Sequence, residues 1–208
     1  CLVVTTALAC LVGLPLVCFG GWEMVLVGAA CVLFCFLYTT LLAQHGMGDV
    51  LVLLFFGLVP VCLTYYVTMP PASQTITAQV VWASLACGLV IDTLLVVNNY
   101  RDYDQDRAVG KKTLIVRMGR ERAEQLYGWL GNIATCMMWG CLVLGDSSFV
   151  LMLVCFACFV PYALLHGATR VQMRRIGRGR ELNKVLGMTA RNMFVFGVTT
   201  AIVTLFIL

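Results

Sequence analysis

Charged residues are scarce in this chain of 208 residues. Lys and Arg number 14 and Asp and Glu number 10, together 12% of the sequence, whereas a soluble domain has about 25%. So few charges cannot cover the surface of a water-soluble globule, and 61% of the residues are hydrophobic. The same composition excludes intrinsic disorder and collagen-like structure. The chain is therefore predicted to lie in a lipid bilayer.

Two further patterns are missing. The alternation of polar and apolar residues that marks the strands of a membrane barrel does not occur, so the spans are predicted to be helices. Polar loops hold no cysteine: all 11 lie in apolar runs, which is typical of small hydrophobic side chains in lipid and not of a disulfide framework. No low-complexity linker divides the chain, so residues 1–208 are predicted to form a single membrane-embedded domain.

Apolar segments of the length that crosses a bilayer, about 20 residues, recur along the chain. Seven of them are predicted to be membrane spans: 2–20, 24–43, 50–68, 78–97, 126–145, 147–166 and 189–208. The predicted fold class is an all-α, polytopic transmembrane helical bundle.

The cations are confined to one side of this arrangement. All 14 Lys and Arg residues fall in or beside two polar segments, 98–125 and 167–188. Seven alternating spans place both segments on one face, together with the loop 44–49, and leave only Glu23 and Asp146 as charges on the other face. Because short loops rich in Lys and Arg stay in the cytoplasm, the polar face is predicted to be cytoplasmic, in the inner membrane of the cell.

The first polar segment carries amide and carboxylate side chains at helical spacing. At 100° per residue, five of them share a stripe about 120° wide: Asp92, Asn98, Asn99, Asp102 and Asp106. Asp104 lies at about 240°, away from the stripe. Asp102 and Asp106 form an i,i+4 pair, which places their Cβ atoms about 5–6 Å apart.

A divalent cation between Asp102 and Asp106 would reverse the repulsion between them. Mg²⁺ binds one or two carboxylates and completes its shell with water and phosphate oxygens. Three cations follow in the sequence: Lys111, Lys112 and Arg117. Cations beside a metal-carboxylate site indicate a multiply charged anion such as a diphosphate. Two alternatives stay open: the acids form a solvated loop, and Asp92 is a buried structural residue and not part of a functional site.

Two runs resemble the second aspartate-rich motif of the UbiA intramembrane prenyltransferases. They are N-N-Y-R-D-Y-D-Q-D from Asn98 to Asp106 and G-K-K-T-L-I-V-R-M-G from Gly110 to Gly119. Supporting similarity lies in Q-H-G-M-G-D at 44–49 and in L-N-K at 182–184. The resemblance covers the whole chain and is strongest to the menaquinone branch, which prenylates 1,4-dihydroxy-2-naphthoate.

The resemblance implies a Mg²⁺-dependent enzyme that transfers a polyprenyl chain from polyprenyl diphosphate to an aromatic acceptor, here dihydroxynaphthoate. In the family, Mg²⁺ promotes loss of the diphosphate, and the ring attacks the allylic cation in a cavity that holds little water. Another aromatic acceptor stays open, as does a membrane transporter from a different functional class. The expected partners are the two substrates and the lipid bilayer, with no nucleic acid.

The resemblance also assigns the metal and diphosphate sites. Asp102 and Asp106 are expected to hold Mg²⁺ and to be catalytic, as is Lys111. Lys111, with Arg101 and Arg117, is expected to contact the diphosphate.

The remaining roles that the resemblance implies concern the loop and the acceptor. Asn98 and Asn99 would bind metal-bound water or order the loop, and His45 and Asp49 would meet the aromatic acceptor. Phe55 and Phe56 would line the cavity. The basic segment 167–188 either anchors the protein to anionic headgroups or contacts the diphosphate.

Family members have nine spans and two aspartate-rich motifs, whereas this sequence shows seven spans and one motif and begins with Cys1. The first two spans and the first motif are expected to be missing at the N-terminus. By itself the chain is therefore expected to be inactive.

Overall fold

The computed structural model describes residues 2–37, 46–143 and 148–207, and these ranges are almost entirely helical, with no strand in them. The helices, in chain order, are α1 (Leu2–Gly13), α2 (Leu16–Gly20), α3 (Glu23–Leu37), α4 (Gly48–Thr68), α5 (Ala78–Arg101), α6 (Tyr103–Ala108), α7 (Leu114–Met118), α8 (Arg120–Val143), α9 (Phe149–Ile176) and α10 (Leu182–Ile207). A 3₁₀ turn, Pro71–Ser73, lies between α4 and α5. The two parts of α9 meet at Phe159.

Local chemistry sets where several helices begin and end. Hydroxyl side chains accept a backbone N–H bond at the starts of α5, α7 and α9, and these residues are Thr77, Thr113 and Ser148. Such a cap is worth about 1 kcal/mol. Glycines in the left-handed region end α7 and α9, Gly119 at φ 83° and Gly177 at φ 68°, because a side chain there would be strained.

The chain is a multi-pass membrane protein, as predicted. Within the described ranges, α4, α5, α9 and α10 are long and apolar enough to cross a membrane, and α1 and α3 are shorter apolar helices. Large apolar side chains on their outer faces stay exposed, among them Leu164, Phe194 and Leu205. A soluble protein would not expose so much contiguous apolar surface, whereas lipid favours it.

Where the structure describes them, the predicted spans are largely helical, and several helices extend beyond the spans on the polar side. α5 continues to Arg101, α8 begins at Arg120, α9 continues to Ile176 and α10 begins at Leu182. Most of the polar segments 98–125 and 167–188 is therefore helical. Hydropathy marks where a helix leaves lipid, whereas its backbone hydrogen bonds continue into water until a residue such as a left-handed glycine interrupts them.

The first two predicted spans differ in another way. Span 2–20 is divided between α1 and α2 beside Pro15, which has no backbone N–H to continue the hydrogen-bond ladder. The second span is helical over Glu23–Leu37, and its remainder lies outside the described residues.

Helix α5 forms the centre of the bundle and packs against α4, α8 and α10. Beneath the polar face, its buried residues Val96, Val97 and Tyr100 join a cluster with residues of α7 to α10. A second cluster, deeper in the bundle, contains Ala86 and Val90 of the same helix. Residues at the polar end of α5 are thus fixed by packing on several sides.

A π-helical turn, Leu53–Leu58, interrupts α4. It brings Gly57 against α5, where a Cβ on Gly57 would lie 2.7 Å from Gly88 Cα and 2.8 Å from the Ser84 carbonyl oxygen. The contact is therefore backbone against backbone, and only glycine fits.

Replacing Gly57 by Ala is expected to destabilise the protein by about 1–3 kcal/mol, because α4 and α5 must move apart to admit the methyl group. Gly197→Ala is the matched control, since a Cβ there meets no described atom within 4 Å. Thermal unfolding of the detergent-purified variants measures the difference. Equal unfolding temperatures for the two variants would contradict the close contact.

Candidate functional site

Asp102 lies at the junction of α5 and α6. Its N–H donates to the Asn98 carbonyl at 3.1 Å, and its own carbonyl accepts from the Asp106 N–H at 2.9 Å. The hydrogen bonds between residues four apart therefore continue across the junction, and the predicted i,i+4 relation of the two acids is present. Arg101 donates to both Asp102 carboxylate oxygens, from Nε at 2.7 Å and from Nη2 at 2.8 Å.

Asp106 is buried, with 8% of its surface exposed. Its Oδ1 accepts a hydrogen bond from Lys111 Nζ at 3.3 Å, and its Oδ2 has no hydrogen-bond partner among the described residues. The Lys111 N–H donates to the Asp106 carbonyl at 2.9 Å, so the backbone turn returns the lysine to the acid. Gly110, at φ 73°, adopts the left-handed conformation that this turn requires.

Arg101 joins this site to the start of α10. Besides the pair with Asp102, its guanidinium donates to Asn98 Oδ1 at 2.9 Å and to Asn183 Oδ1 at 3.1 Å. Asn183 belongs to the L-N-K run at 182–184, but the sequence gave it no role in the site, because the contact depends on how α10 packs against α5. The basic segment 167–188 therefore contacts the acidic motif through the Asn183 amide. Arg174, a cation of the same segment, is exposed and lies 3.8 Å from Glu124.

Asp104 points away from the acid pair. Its Oδ2 accepts from Arg120 Nη2 at 3.0 Å, and its side chain is 62% exposed. Arg120 also donates to the carbonyls of Tyr100 at 3.1 Å and Gly177 at 2.7 Å. Its guanidinium lies over the rings of Tyr100 and Tyr103, 4.9 and 4.8 Å from the centroids. Arg120 thus clamps three segments together, a role that the sequence alone did not reveal.

A small polar pocket of about 20 Å³ lies beside the acid pair. Its lining includes Asp49, Asn99, Lys111 and Thr113. Asp49 is buried, and its Oδ1 has no hydrogen-bond partner in the ranges that the structure covers. The volume suffices for about one water molecule. Three residues to which the sequence gave different roles, Asp49 at the acceptor, Asn99 at metal-bound water or in ordering the loop, and Lys111 at the diphosphate, thus line one pocket.

Asp92 lies about two helical turns before Asn99 in α5. It is buried, and one of its carboxylate oxygens has no hydrogen-bond partner among the described residues. It is close enough to Asp49 for the two acids to interact electrostatically. The stripe predicted from the sequence therefore continues into the bundle interior. Of the other predicted residues, Arg117 is exposed in the last turn of α7, and His45 lies outside the described residues.

A cavity of about 880 Å³ opens beneath Asn98, between α3, α4, α5 and α10. Its walls are apolar, and Asn98 is the only amide or charged side chain among the described lining residues. Phe55 and Phe56 line it, as predicted, and Phe55 contacts Phe34 with ring centroids 5.1 Å apart. Along α5 the cavity extends from Asn98 to Ile91, about 10 Å at 1.5 Å per residue.

The acid pair suits a cation that shares its ligands with a substrate. Among the described residues, no group of three or more His, Cys, Asp or Glu side chains could hold a metal ion. Mg²⁺ does not need such a group, since one or two carboxylates suffice when water and phosphate oxygens complete its shell. The buried Oδ2 of Asp106, which lacks a partner within the described part of the chain, is an oxygen that such an ion would satisfy.

The fold and the site define a helical, multi-pass membrane protein with paired acids and cations at the mouth of an apolar cavity. Residues 2–195 match the UbiA prenyltransferase family. The chain belongs to this family.

Several relatives are named 1,4-dihydroxy-2-naphthoate octaprenyltransferase. The chain is 34% identical to the one from Mycobacterium tuberculosis over 204 residues, 94% of this chain and 64% of the relative. The Escherichia coli relative is 30% identical over 172 residues, 78% of this chain and 49% of the relative. The chain thus spans between about half and two thirds of the length of these relatives. Solved structures give no significant match.

Proposed function

We propose that the protein transfers a prenyl chain from a prenyl diphosphate to an aromatic acceptor, with 1,4-dihydroxy-2-naphthoate as the acceptor. The observation that supports this most directly is the position of the acid pair and its cations at the polar mouth of the apolar cavity. A diphosphate with an isoprenoid tail has the same division into a highly charged head and an apolar chain. The names of the relatives support the choice of acceptor.

Asp102 and Asp106 would hold Mg²⁺, which when bound neutralises the diphosphate and makes it a better leaving group. Arg101 and Lys111 already lie beside these acids, at 2.7 and 3.3 Å, and would donate hydrogen bonds to diphosphate oxygens. Arg117 adds positive charge at the same face. Asn98, which accepts a hydrogen bond from Arg101 at 2.9 Å, would order that guanidinium at the cavity mouth or bind metal-bound water.

The reaction itself breaks the bond between the allylic carbon and the diphosphate oxygen, and the electron pair leaves with the diphosphate. A ring carbon of the acceptor then forms the new bond to the allylic carbon. With dihydroxynaphthoate, the carboxylate on that carbon leaves as CO₂, and its electrons restore the aromatic ring. The apolar walls, including Phe34 and Phe55, would keep water from the allylic cation.

Asp49 and Asn99 are proposed to bind the polar groups of the acceptor, because they line the small pocket beside Lys111. His45, four residues before Asp49 in the sequence, is proposed to act with them. The polar face that carries these residues is proposed to be cytoplasmic, since the cations of the chain lie in the segments that form it.

Membranes that contain the full-length protein, supplied with Mg²⁺, labelled farnesyl diphosphate and dihydroxynaphthoate, test the proposal. A prenylated, decarboxylated naphthalenediol is the expected product, and 4-hydroxybenzoate in place of the naphthoate is expected to give little. Product from 4-hydroxybenzoate and none from dihydroxynaphthoate would show that the proposed acceptor is wrong. No product from either acceptor would overturn the proposal.

A further inference from the structure

The wall of the apolar cavity that α10 forms contains two small residues, Gly187 and Ala190. Helix α10 contributes Leu186, Gly187 and Ala190 to the lining. A Cβ on Gly187 would meet no described atom within 4 Å, so this glycine borders open space. Gly57 and Gly88 differ from it, because a Cβ on either would lie within 3.2 Å of backbone atoms of the opposing helix. Packing against the described helices therefore explains Gly57 and Gly88 but not Gly187.

The level of Gly187 in the bundle follows from the contact of Asn183 with Arg101. Arg101 holds the Asp102 carboxylate and reaches Asn183 Oδ1 at 3.1 Å. Gly187 lies four residues further along α10, one turn or about 6 Å deeper. Asn98 lies one turn before Asp102 on α5 and lines the same cavity. Gly187 is thus level with the cavity mouth, directly beneath the acid pair.

We propose that Gly187 determines which prenyl chains the protein accepts, by leaving room at the mouth of the cavity for a chain longer than one isoprene unit. This role rests on the proposed function, in which the diphosphate is bound at the acid pair. A chain that leaves the diphosphate must pass the level of Gly187 before it reaches Phe34 and Phe55. Ala190, one turn deeper on the same helix, continues the small wall.

A glycine in the middle of a helix costs about 0.5–1 kcal/mol relative to alanine. Gly187 carries this cost without a positive φ and without a close neighbour among the described atoms. Gly197 shares both properties, so what distinguishes Gly187 is its position in the wall of the cavity, where the missing side chain leaves room for a ligand. A side chain at this position would project into the cavity, and larger side chains would close more of its mouth.

The series Gly187→Ala, Gly187→Leu and Gly187→Phe in the full-length protein tests this role, with dimethylallyl diphosphate and farnesyl diphosphate as alternative donors to dihydroxynaphthoate. The ratio of kcat/KM for farnesyl to that for dimethylallyl diphosphate is expected to fall with side-chain size, by about tenfold or more for Gly187→Phe. Gly197→Phe is the matched control, because Gly197 lies on the same helix, borders open space and does not line the cavity. Its ratio is expected to stay unchanged.

The outcomes separate this role from the proposed function. A constant ratio across the series, including an equal loss with both donors, would overturn the role of Gly187 while leaving prenyl transfer intact. An unsubstituted protein that uses neither donor would remove the proposed function and this inference with it. Should Gly187→Phe unfold at a lower temperature than Gly197→Phe, the Ala and Leu variants still decide the ratio.

Discussion

Replacing Asp106 by Asn is expected to reduce prenyl transfer by about 10²-fold or more, the loss typical when one preorganised electrostatic stabiliser is removed. The carboxylate is buried, and its Oδ2 has no hydrogen-bond partner among the described residues, so this oxygen is available to a metal ion even while Oδ1 is paired with Lys111. An amide of the same shape offers one weak oxygen ligand and no charge. Asp102→Asn is expected to cause a comparable loss, and it also frees Arg101.

Asp104→Asn serves as the control for these two substitutions. It removes the same charge from a neighbouring position, but Asp104 is exposed and pairs with Arg120, and exposed ion pairs contribute about 1 kcal/mol or less. Turnover and Mn²⁺ binding are to be measured for all three variants in the full-length protein. Equal losses at positions 102, 104 and 106 would show that the acids act only as a charged surface.

Replacing Lys111 by Gln is expected to change the affinities for metal and for diphosphate in opposite directions. In the structure, Lys111 binds the Asp106 carboxylate and Arg101 binds that of Asp102. Each cation therefore occupies an acid that the metal would need. Without Lys111, a divalent ion meets less repulsion and a free carboxylate, so its affinity measured in the absence of diphosphate should rise. The affinity for diphosphate should fall about tenfold, because a charge-assisted hydrogen bond of about 1.5 kcal/mol is lost.

The exchange of partners has a thermodynamic consequence. On the proposed function, a bound metal would release Lys111 and Arg101 for the diphosphate, and a bound diphosphate would release Asp106 and Asp102 for the metal. Each ligand is therefore expected to strengthen the binding of the other by the same factor. Titration calorimetry with Mn²⁺, with and without inorganic diphosphate, measures this coupling. Lys112→Gln removes the same charge from an exposed neighbour. Identical effects of Lys111→Gln and Lys112→Gln would show that the ion pair plays no part.

The local features of the site could be predicted because they depend on spacing along one helix. Backbone hydrogen bonds link Asn98 to Asp102 and Asp102 to Asp106. The helical spacing predicted for the two acids therefore continues across the end of α5. Asp104 lies on the other side for the same reason. The apolar lining at Phe55 and Phe56 followed from the resemblance to the family.

Contacts between distant segments could not be predicted in this way. Asn183 reaches Arg101 across 82 residues, and Arg120 reaches Gly177 across 57, and both contacts depend on how α9 and α10 pack at the polar face. Hydropathy ended the predicted span at residue 166, whereas α9 continues ten residues further to Ile176, because hydropathy records the lipid boundary and not the end of the hydrogen-bond ladder. The helix ends where Gly177 adopts a left-handed backbone conformation.

The π-helical turn Leu53–Leu58 amounts to one residue inserted into a regular helix. Asp49, which lines the small pocket, precedes the turn, and Gly57, near the end of the turn, meets Gly88. Deleting one residue within the turn would rotate one side about 100° relative to the other, so that both contacts could not persist together. Homologues that lack one residue at this point are therefore expected to build this cavity wall from different side chains. A one-residue gap in a sequence alignment would identify them, even where their aspartate-rich motifs agree.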